Sequence, residues 1–186
     1  MNTSERPMRE RILQVALELF TQHGYDATSL REIAEKLDVT KAALYYHFKS
    51  KDALLLSLVN EWREQTQALV GWAREQPFSI DLQREVLVRL SSLLVSNAKT
   101  MRLLFENQTV IRAVMERDDA EHGRKPKMWA FDLIAVITRP DGTAHDRAIS
   151  RTAVFGLTTS SMQPGNTKED FDAALDVALQ VLDLSR

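Results

Sequence analysis

The residues between Asp38 and Lys51 carry side chains that can bind a polyanion. This segment holds three lysines and one histidine but only one acidic residue, and two adjacent tyrosines lie at its centre. Lysine donates hydrogen bonds to phosphate and to guanine N7 or O6, while tyrosine and histidine also donate to phosphate. These residue types, so closely spaced, favour contact with a nucleic acid.

Two short helices joined by a tight turn must position these side chains. The apolar face of the first helix is predicted from residues at helical spacing, namely Leu30, Ile33, Ala34 and Leu37. Ser29 and Glu32 have the S-x-x-E spacing of a capping box at its start. Asp38 falls where the chain must reverse, and aspartate tolerates the left-handed backbone expected there. This arrangement predicts a helix-turn-helix, whose second helix enters a DNA groove.

The second short helix is predicted to begin after Thr40, which is suited to cap it. Its expected anchors to the core are Val39, Leu44 and Phe48. The residues left facing outward near its beginning are Lys41, Ala42 and Tyr45. Ser50 is expected to cap a third helix that starts at Lys51. The alternative is an ordinary helical hairpin with solvated lysines and a packed tyrosine pair.

The segment VTKAALYYHFKSKDALL resembles the TetR family of transcriptional regulators, and the resemblance runs from about Ile12 through Leu56. It implies that three residues lie closest to DNA bases: Arg31, Lys41 and Ala42. It implies that four others hold the DNA backbone: Tyr45, Tyr46, His47 and Lys51. We include Thr40 among the expected DNA-binding residues. The chain departs from the family where relatives often have glycine, at Asp38 and at Ala42.

The helical pattern continues through nearly the whole chain, which predicts an all-α fold. We expect an N-terminal helix-turn-helix domain of three helices over residues 1–52. A long helix, from Lys51 towards Glu75, would join it to a helical regulatory, ligand-binding and dimerisation domain over residues 53–186. The first helix is expected to follow Pro7 and to stop at Gly24. The remaining helices are predicted at about 80–97, 100–117, 125–138, 144–162 and 168–184.

The last two predicted helices carry apolar and small residues that favour a dimer interface. The candidate residues on the first of them are Ile149, Ala153, Gly156, Leu157 and Ser160. Those on the second are Ala174, Leu175, Ala178, Leu179 and Leu182. One helix-turn-helix reads few bases alone, and two-fold partners bind paired half-sites. The alternative is that both helices are buried within a monomer.

Bulky, adaptable side chains in the middle of the chain suit an apolar ligand cavity. The candidate residues for its wall are Trp62, Met101, Phe105, Trp129 and Phe155. For any one of these residues, the alternative is an ordinary place in the core. The expected effector is an apolar small molecule that lowers affinity for DNA.

Composition narrows the remaining classes of protein. The chain has 186 residues, 44% of them hydrophobic and 27% charged, as in soluble globular proteins. The absence of cysteine excludes disulfides and thiolate metal sites and is compatible with a reducing cytoplasm. No two histidines have the i, i+4 spacing of a metal pair, and neither a phosphate-binding glycine loop nor a nucleophile elbow is present. We therefore expect no metal, no cofactor and no catalysis.

The charge distribution bears on how DNA would be bound. Residues 1–52 hold eight Lys or Arg and eight Asp or Glu, so this part of the chain has no net charge. Its positive charge is concentrated between Asp38 and Lys51, around the second short helix. This favours specific, salt-sensitive binding with few phosphate contacts per subunit. We expect a cytoplasmic, homodimeric transcriptional repressor that a small molecule releases from operator DNA. The alternative is a helical module, without catalysis, that binds a protein or a small molecule.

Overall fold

The structure, a computed structural model, describes residues 5–123, 129–160, 162–163 and 165–184, and all regular elements in these ranges are helices. They are α1 (Glu5–His23), α2 (Leu30–Lys36), α3 (Lys41–His47), α4 (Lys51–Arg74), α5 (Ile80–Ser96), α6 (Ala98–Glu106), α7 (Gln108–Glu121), α8 (Trp129–Ile137), α9 (Ala144–Ser160) and α10 (Lys168–Asp183). In the described ranges, no helix combines the length and the apolar character that a membrane span requires. The predicted all-α fold is confirmed.

The chain forms two compact units. Within the described ranges, the first unit comprises residues 5–61 and 102–123, and the second comprises residues 62–101 and those described from 129 to 184. Both α4 and α6 therefore contribute residues to each unit, and α7 groups with the N-terminal helices. The predicted division after residue 52 concerns functional domains and stays a prediction.

The core of the first unit is built from the helices that the apolar pattern predicted. The side chains with the least exposure in this core are Ile12, Ala16, Phe20, Ile33, Leu44, Leu54, Leu55 and Leu103. Ile111 and Val114 of α7 are buried in the same core. Gly24 ends α1 with a φ of +89°, a left-handed conformation that glycine adopts without the steric cost of a Cβ atom.

The prediction of one helix over residues 100–117 is wrong. The chain breaks at Asn107, whose φ and ψ are −122° and 31°, and α6 and α7 lie on either side of it. The Asn107 side chain donates to the Leu103 carbonyl oxygen over 2.9 Å. Asparagine competes for backbone hydrogen bonds in this way, and this is why it interrupts helices. Asn97, between α5 and α6, makes the same bond to the Leu93 carbonyl oxygen.

The second unit packs α10 against α9 and α5, and α8 against α9. Its most deeply buried side chains include Leu87, Leu90, Leu94, Leu133, Ile137, Val154 and Leu157. The side chain of Gln83 on α5 donates to the Ile137 carbonyl oxygen over 2.6 Å, which satisfies a buried acceptor at the end of α8. The predicted start of the helix over 125–138 lies outside the described residues, which resume at Trp129.

Candidate nucleic-acid interface

Capping hydrogen bonds fix the start of α2. The Glu32 amide donates to Ser29 Oγ over 3.2 Å, and the Ser29 amide donates to Glu32 Oε2 over 2.7 Å. The predicted capping box is therefore confirmed. The hydrogen bonds from the Ser29 hydroxyl and amide lower the pKa of Glu32, because they stabilise its charged form.

The turn between α2 and α3 passes through Asp38, whose φ is 54°. This confirms the predicted left-handed residue. The Asp38 amide donates to the Glu35 carbonyl oxygen and the Val39 amide to that of Ala34, each over 3.1 Å. Thr40 then caps α3, because its side chain accepts from the Ala43 amide over 3.1 Å. Local side-chain chemistry thus sets the angle at which α3 leaves the turn.

One face of α3 is buried and the other is open to solvent. Leu44 and Phe48 are buried, as predicted, and Val39 is half-buried. The exposed side chains on α3 are Lys41, Ala42, Ala43, Tyr45 and Tyr46. Together with exposed Thr40 and half-buried His47, they form a continuous surface that we call the α3 face.

Aromatic contacts order the α3 face. The Lys41 ammonium lies 5.4 Å from the centroid of the Tyr45 ring, and the Tyr46 and His47 rings meet edge to face at 5.2 Å. Tyr46 remains 66% exposed and Tyr45 36% exposed. The face can therefore offer an ammonium, two hydroxyls and an imidazole to a ligand laid along it.

Lys51, at the start of α4, is held by the loop that follows α1. Its ammonium donates to the carbonyl oxygens of Tyr25 and Asp26, over 2.7 and 3.2 Å, and lies 4.3 Å from the Tyr25 ring centroid. An ammonium has three donors, so one N–H remains beyond these two bonds. Ser50 caps α4 as predicted, accepting from the Ala53 amide over 3.0 Å. The structure thus gives Lys51 an internal role that sequence reasoning missed.

Sequence reasoning also missed a hydrogen-bonded group beside Lys51. The buried Tyr25 hydroxyl donates to Asp52 Oδ1 over 2.6 Å, and Arg117 of α7 donates to Asp52 Oδ2 over 2.9 Å. Burial, followed by the bond to Asp52, raises the pKa of Tyr25. Arg117 is 65 residues from Asp52 in the chain, and no local pattern could have paired them.

Arg31 is exposed on α2 and precedes the residues of the α3 face in the sequence. Its Nε donates to Glu35 Oε1 over 2.7 Å, one helical turn away. An exposed pair of this kind contributes little to stability, so the guanidinium can leave it for another acceptor.

The residues predicted to line a ligand cavity occupy different environments. Trp62 and Met101 are fully buried, and the Trp62 and Trp129 rings meet edge to face at 5.2 Å. Phe155 packs edge to face on the Phe131 ring at 6.4 Å, whereas Phe105 belongs to the other unit. The second unit holds cavities of about 190 and 510 Å³, and none of the five predicted residues lines either of them.

The candidate dimer residues divide between the core and the surface. Those buried in their own chain are Ile149, Ala153, Leu157, Ala178 and Leu182. Those half-buried or exposed are Ala174, Leu175, Leu179, Gly156 and Ser160. A Cβ atom at Gly156 would meet no atom within 4 Å. Close packing inside the chain therefore does not account for this glycine, and the dimer assignment stays a prediction.

Comparison with known proteins agrees with the geometry of the first unit. Residues 12–58 match a family model described as "Bacterial regulatory proteins, tetR family". The HTH-type transcriptional regulator QacR of Staphylococcus aureus is 41% identical over 73 residues, which cover 37% of this chain and 36% of that protein. The regulator UidR of Escherichia coli is 31% identical over 91 residues, which cover 49% and 46%. The chain thus aligns with less than half the length of these relatives.

The likeness in fold extends further than the likeness in sequence. A solved structure of a transcriptional regulator from Aquifex aeolicus superimposes with a TM-score of 0.69 and covers 95% of this chain and 98% of its own. The two sequences are only 18% identical. The arrangement of helices is therefore shared along nearly the whole chain, including the part where sequence similarity is low.

Proposed function

We propose that the chain, whose residues 12–58 match the tetR family of bacterial regulatory proteins, is a member of that family and a sequence-specific, DNA-binding transcriptional regulator. It acts as a repressor by occupying an operator. The observation that carries this proposal is the α3 face, a short helix that presents Lys41, Ala42 and Tyr45 outward while Leu44 anchors it from behind. A helix of this kind fits the major groove, where its first residues meet base edges.

We assign separate tasks to the residues of the α3 face. Lys41 and Ala42 near its beginning read bases, together with Arg31 of α2. The hydroxyls of Tyr45 and Tyr46, the His47 ring and the remaining N–H of Lys51 bind phosphates, and Thr40 lies beside them. Phosphate contacts position the protein and base contacts give specificity. The pair formed by Arg31 with Glu35 must open for Arg31 to reach DNA.

We propose that two copies of the chain bind one operator. A single α3 face spans only a few base pairs, and two-fold symmetric dimers bind half-sites one or more helical turns apart. The surface of α9 and α10 supports this proposal. Gly156 is exposed without a neighbour above it, and Val177 and Leu184 are more than half exposed. A second copy packed on these residues would cover apolar surface that the monomer leaves in water.

We propose that a small molecule controls DNA binding from within the second unit. Trp62 is buried, and among the residues that the structure describes no acceptor binds its indole N–H. An unsatisfied buried donor costs about 1–3 kcal/mol, so a ligand that offers an acceptor there would gain from the contact. Couplings of about 1–3 kcal/mol between two sites suffice to change DNA affinity roughly five- to 150-fold.

The relatives reported above are transcriptional regulators, and we propose that this chain likewise regulates without catalysing a reaction. We place its action in the cytoplasm, where bacterial operators are found. The competing possibility, a helical module that binds a protein or a small molecule, uses the α3 face differently. In that case the exposed lysine and tyrosines would contact a protein surface.

Selection of genomic DNA fragments on the purified chain tests the proposal. Fragments that survive repeated rounds at physiological salt should share a sequence with two-fold symmetry. Their affinity, measured by fluorescence anisotropy, should fall linearly with salt concentration on logarithmic axes. Enrichment of no common sequence, with equal binding to all fragments, would contradict the proposed function and favour the protein-binding alternative.

A further inference from the structure

A groove in the second unit combines apolar side chains with arginines. It lies where α8 ends and α9 begins, and its volume is about 510 Å³. Its lining includes Phe131, Ile134, Pro140, Arg139, Arg147 and Arg151. No acidic residue is among the residues that line it. Sites for small molecules commonly have volumes of about 300–1,000 Å³ and place a few polar groups around an apolar wall.

None of the three arginines in this groove forms an ion pair in the part of the chain that the structure describes, although Asp146 offsets part of the charge of Arg139. The side chains of Arg139 and Arg151 also form no hydrogen bond there. Arg147 and Arg151 lie one turn apart on α9, a spacing at which like charges repel. An anion bound in the groove would offset this repulsion.

Two acidic residues close to this groove in the sequence, Asp132 and Asp146, have hydrogen-bond partners of their own. Asp146 accepts hydrogen bonds from the Thr143 amide and hydroxyl over 2.7 and 2.8 Å. These bonds, with a smaller contribution from Arg139, lower the pKa of Asp146 and keep it charged. Asp132 accepts from Arg74 over 3.1 Å. The negative charge of Asp146 therefore offsets part of the positive charge of Arg139. Asp146 has no such interaction with Arg151.

Backbone contacts hold the charged side of the groove in place. The Gly142 amide donates to the Arg139 carbonyl oxygen over 2.9 Å, which closes a tight turn before α9. A Cβ atom at Gly142 would lie 2.9 Å from that oxygen, so this turn requires glycine. Arg147 Nη1 donates to the Gly142 carbonyl oxygen over 2.8 Å and ties the turn to α9. These contacts thus tie the turn that follows Arg139 to the first turns of α9, which carry Arg147.

The apolar side of the groove offers exposed aromatic surface. Phe131 is 55% exposed, although its ring packs edge to face on Phe155 at 6.4 Å. Ile134 lines the same groove but is buried. A hydrocarbon placed here would remove chiefly the exposed surface of Phe131 from water.

We propose that this groove binds an amphipathic anion, a molecule with a carboxylate or phosphate head and an apolar tail. The guanidinium groups of Arg139 and Arg151 bind the head, and Arg147 adds charge beside them. Guanidinium groups bind carboxylate and phosphate through two parallel hydrogen bonds, and this geometry favours such heads over neutral ones. The tail lies against Phe131 and Ile134. The proposal concerns the second unit alone and does not depend on DNA binding.

Calorimetric titration of the full chain with decanoate, below the concentration at which it forms micelles, tests this assignment. Decanol supplies the same tail without the charge, inorganic phosphate supplies a charge without the tail, and decyl phosphate distinguishes the two heads. We expect decanoate or decyl phosphate to bind about tenfold or more tightly than decanol or phosphate alone, because a charged head gains hydrogen bonds that a neutral head lacks.

Variants locate the binding. Arg151→Gln should weaken decanoate binding about fivefold or more, and the double variant Arg139→Gln with Arg151→Gln should abolish it. Arg112→Gln, which changes an exposed arginine of α7, is the matched control and should bind as the parent does. Circular dichroism melting confirms that each variant folds. Equal binding of decanol and decanoate, unchanged binding after Arg151→Gln, or no binding of any anion would overturn the proposal.

Discussion

Replacing Tyr25 by phenylalanine removes one buried hydroxyl and leaves the ring in place. That hydroxyl donates to Asp52 over 2.6 Å, and Tyr25 is only 4% exposed. Hydrogen bonds to charged groups contribute about 1.5–3 kcal/mol, and partial exposure of the Asp52 side chain favours the lower end. We expect Tyr25→Phe to lower the free energy of unfolding by about 1.5 kcal/mol at pH 8.

The difference between the parent and this variant should depend on pH. Burial and Asp52 raise the pKa of Tyr25 above its ordinary value of 10.0, so the folded chain keeps a proton that the unfolded chain loses. The stabilisation is therefore complete below about pH 10 and declines as the pH rises further. By pH 11, ionisation of Tyr25 in the unfolded chain should lower the parent's free energy of unfolding by about 1.4 kcal/mol. The variant has no such hydroxyl to ionise, so the free energies of unfolding of the two proteins should nearly converge.

Urea unfolding followed by circular dichroism, at pH 8, 9, 10 and 11 and one protein concentration, measures this difference. Tyr45→Phe is the control, because the Tyr45 hydroxyl lies on the exposed side of α3. It should change stability by less than about 0.5 kcal/mol. A difference between parent and Tyr25→Phe that stays constant from pH 8 to pH 11 would refute the reasoning.

Five further substitutions test other parts of the molecule. In anisotropy titrations, Lys41→Ala should alter the preferred operator sequence, whereas Tyr45→Ala should weaken binding to all sequences alike; a uniform loss for both would contradict our assignment of bases and phosphates. Asp38→Gly should raise the thermal unfolding midpoint, because the left-handed backbone conformation costs aspartate about 1 kcal/mol that glycine does not incur. A lower midpoint would contradict this account. Gly142→Ala should destabilise the chain by about 1–3 kcal/mol. Gly156→Ala, with open space above it, should not destabilise the fold but should weaken dimerisation in sedimentation experiments if α9 lies at the interface.

Features set by neighbouring residues were predictable from the sequence. The capping box at Ser29, the left-handed Asp38 and the caps at Thr40 and Ser50 depend on contacts within four residues. Apolar spacing likewise predicted which side of α3 is buried. Such features follow from local sterics and hydrogen bonding, and these are the same in most folds.

Features set by distant residues were not predictable in this way. The bonds from Lys51 to the loop after α1, and from Arg117 to Asp52, join parts of the chain that only the tertiary fold brings together. The helix break at Asn107 was missed because one asparagine in an amphipathic stretch is a weak signal against the helical pattern on both sides. The predicted cavity wall stays a prediction, because the spacing of aromatic residues cannot distinguish a filled core from a hollow one.

The first unit includes residues 102–123, and this bears on the exchange of parts between related proteins. Leu103, Ile111 and Val114 complete the same core as the helix-turn-helix. A fragment cut after residue 61 would lack these side chains and would expose apolar surface that they cover. Chimeras that transfer DNA specificity from one regulator to another therefore need to carry this later stretch along with the N-terminal helices, or to match its packing residues in the recipient.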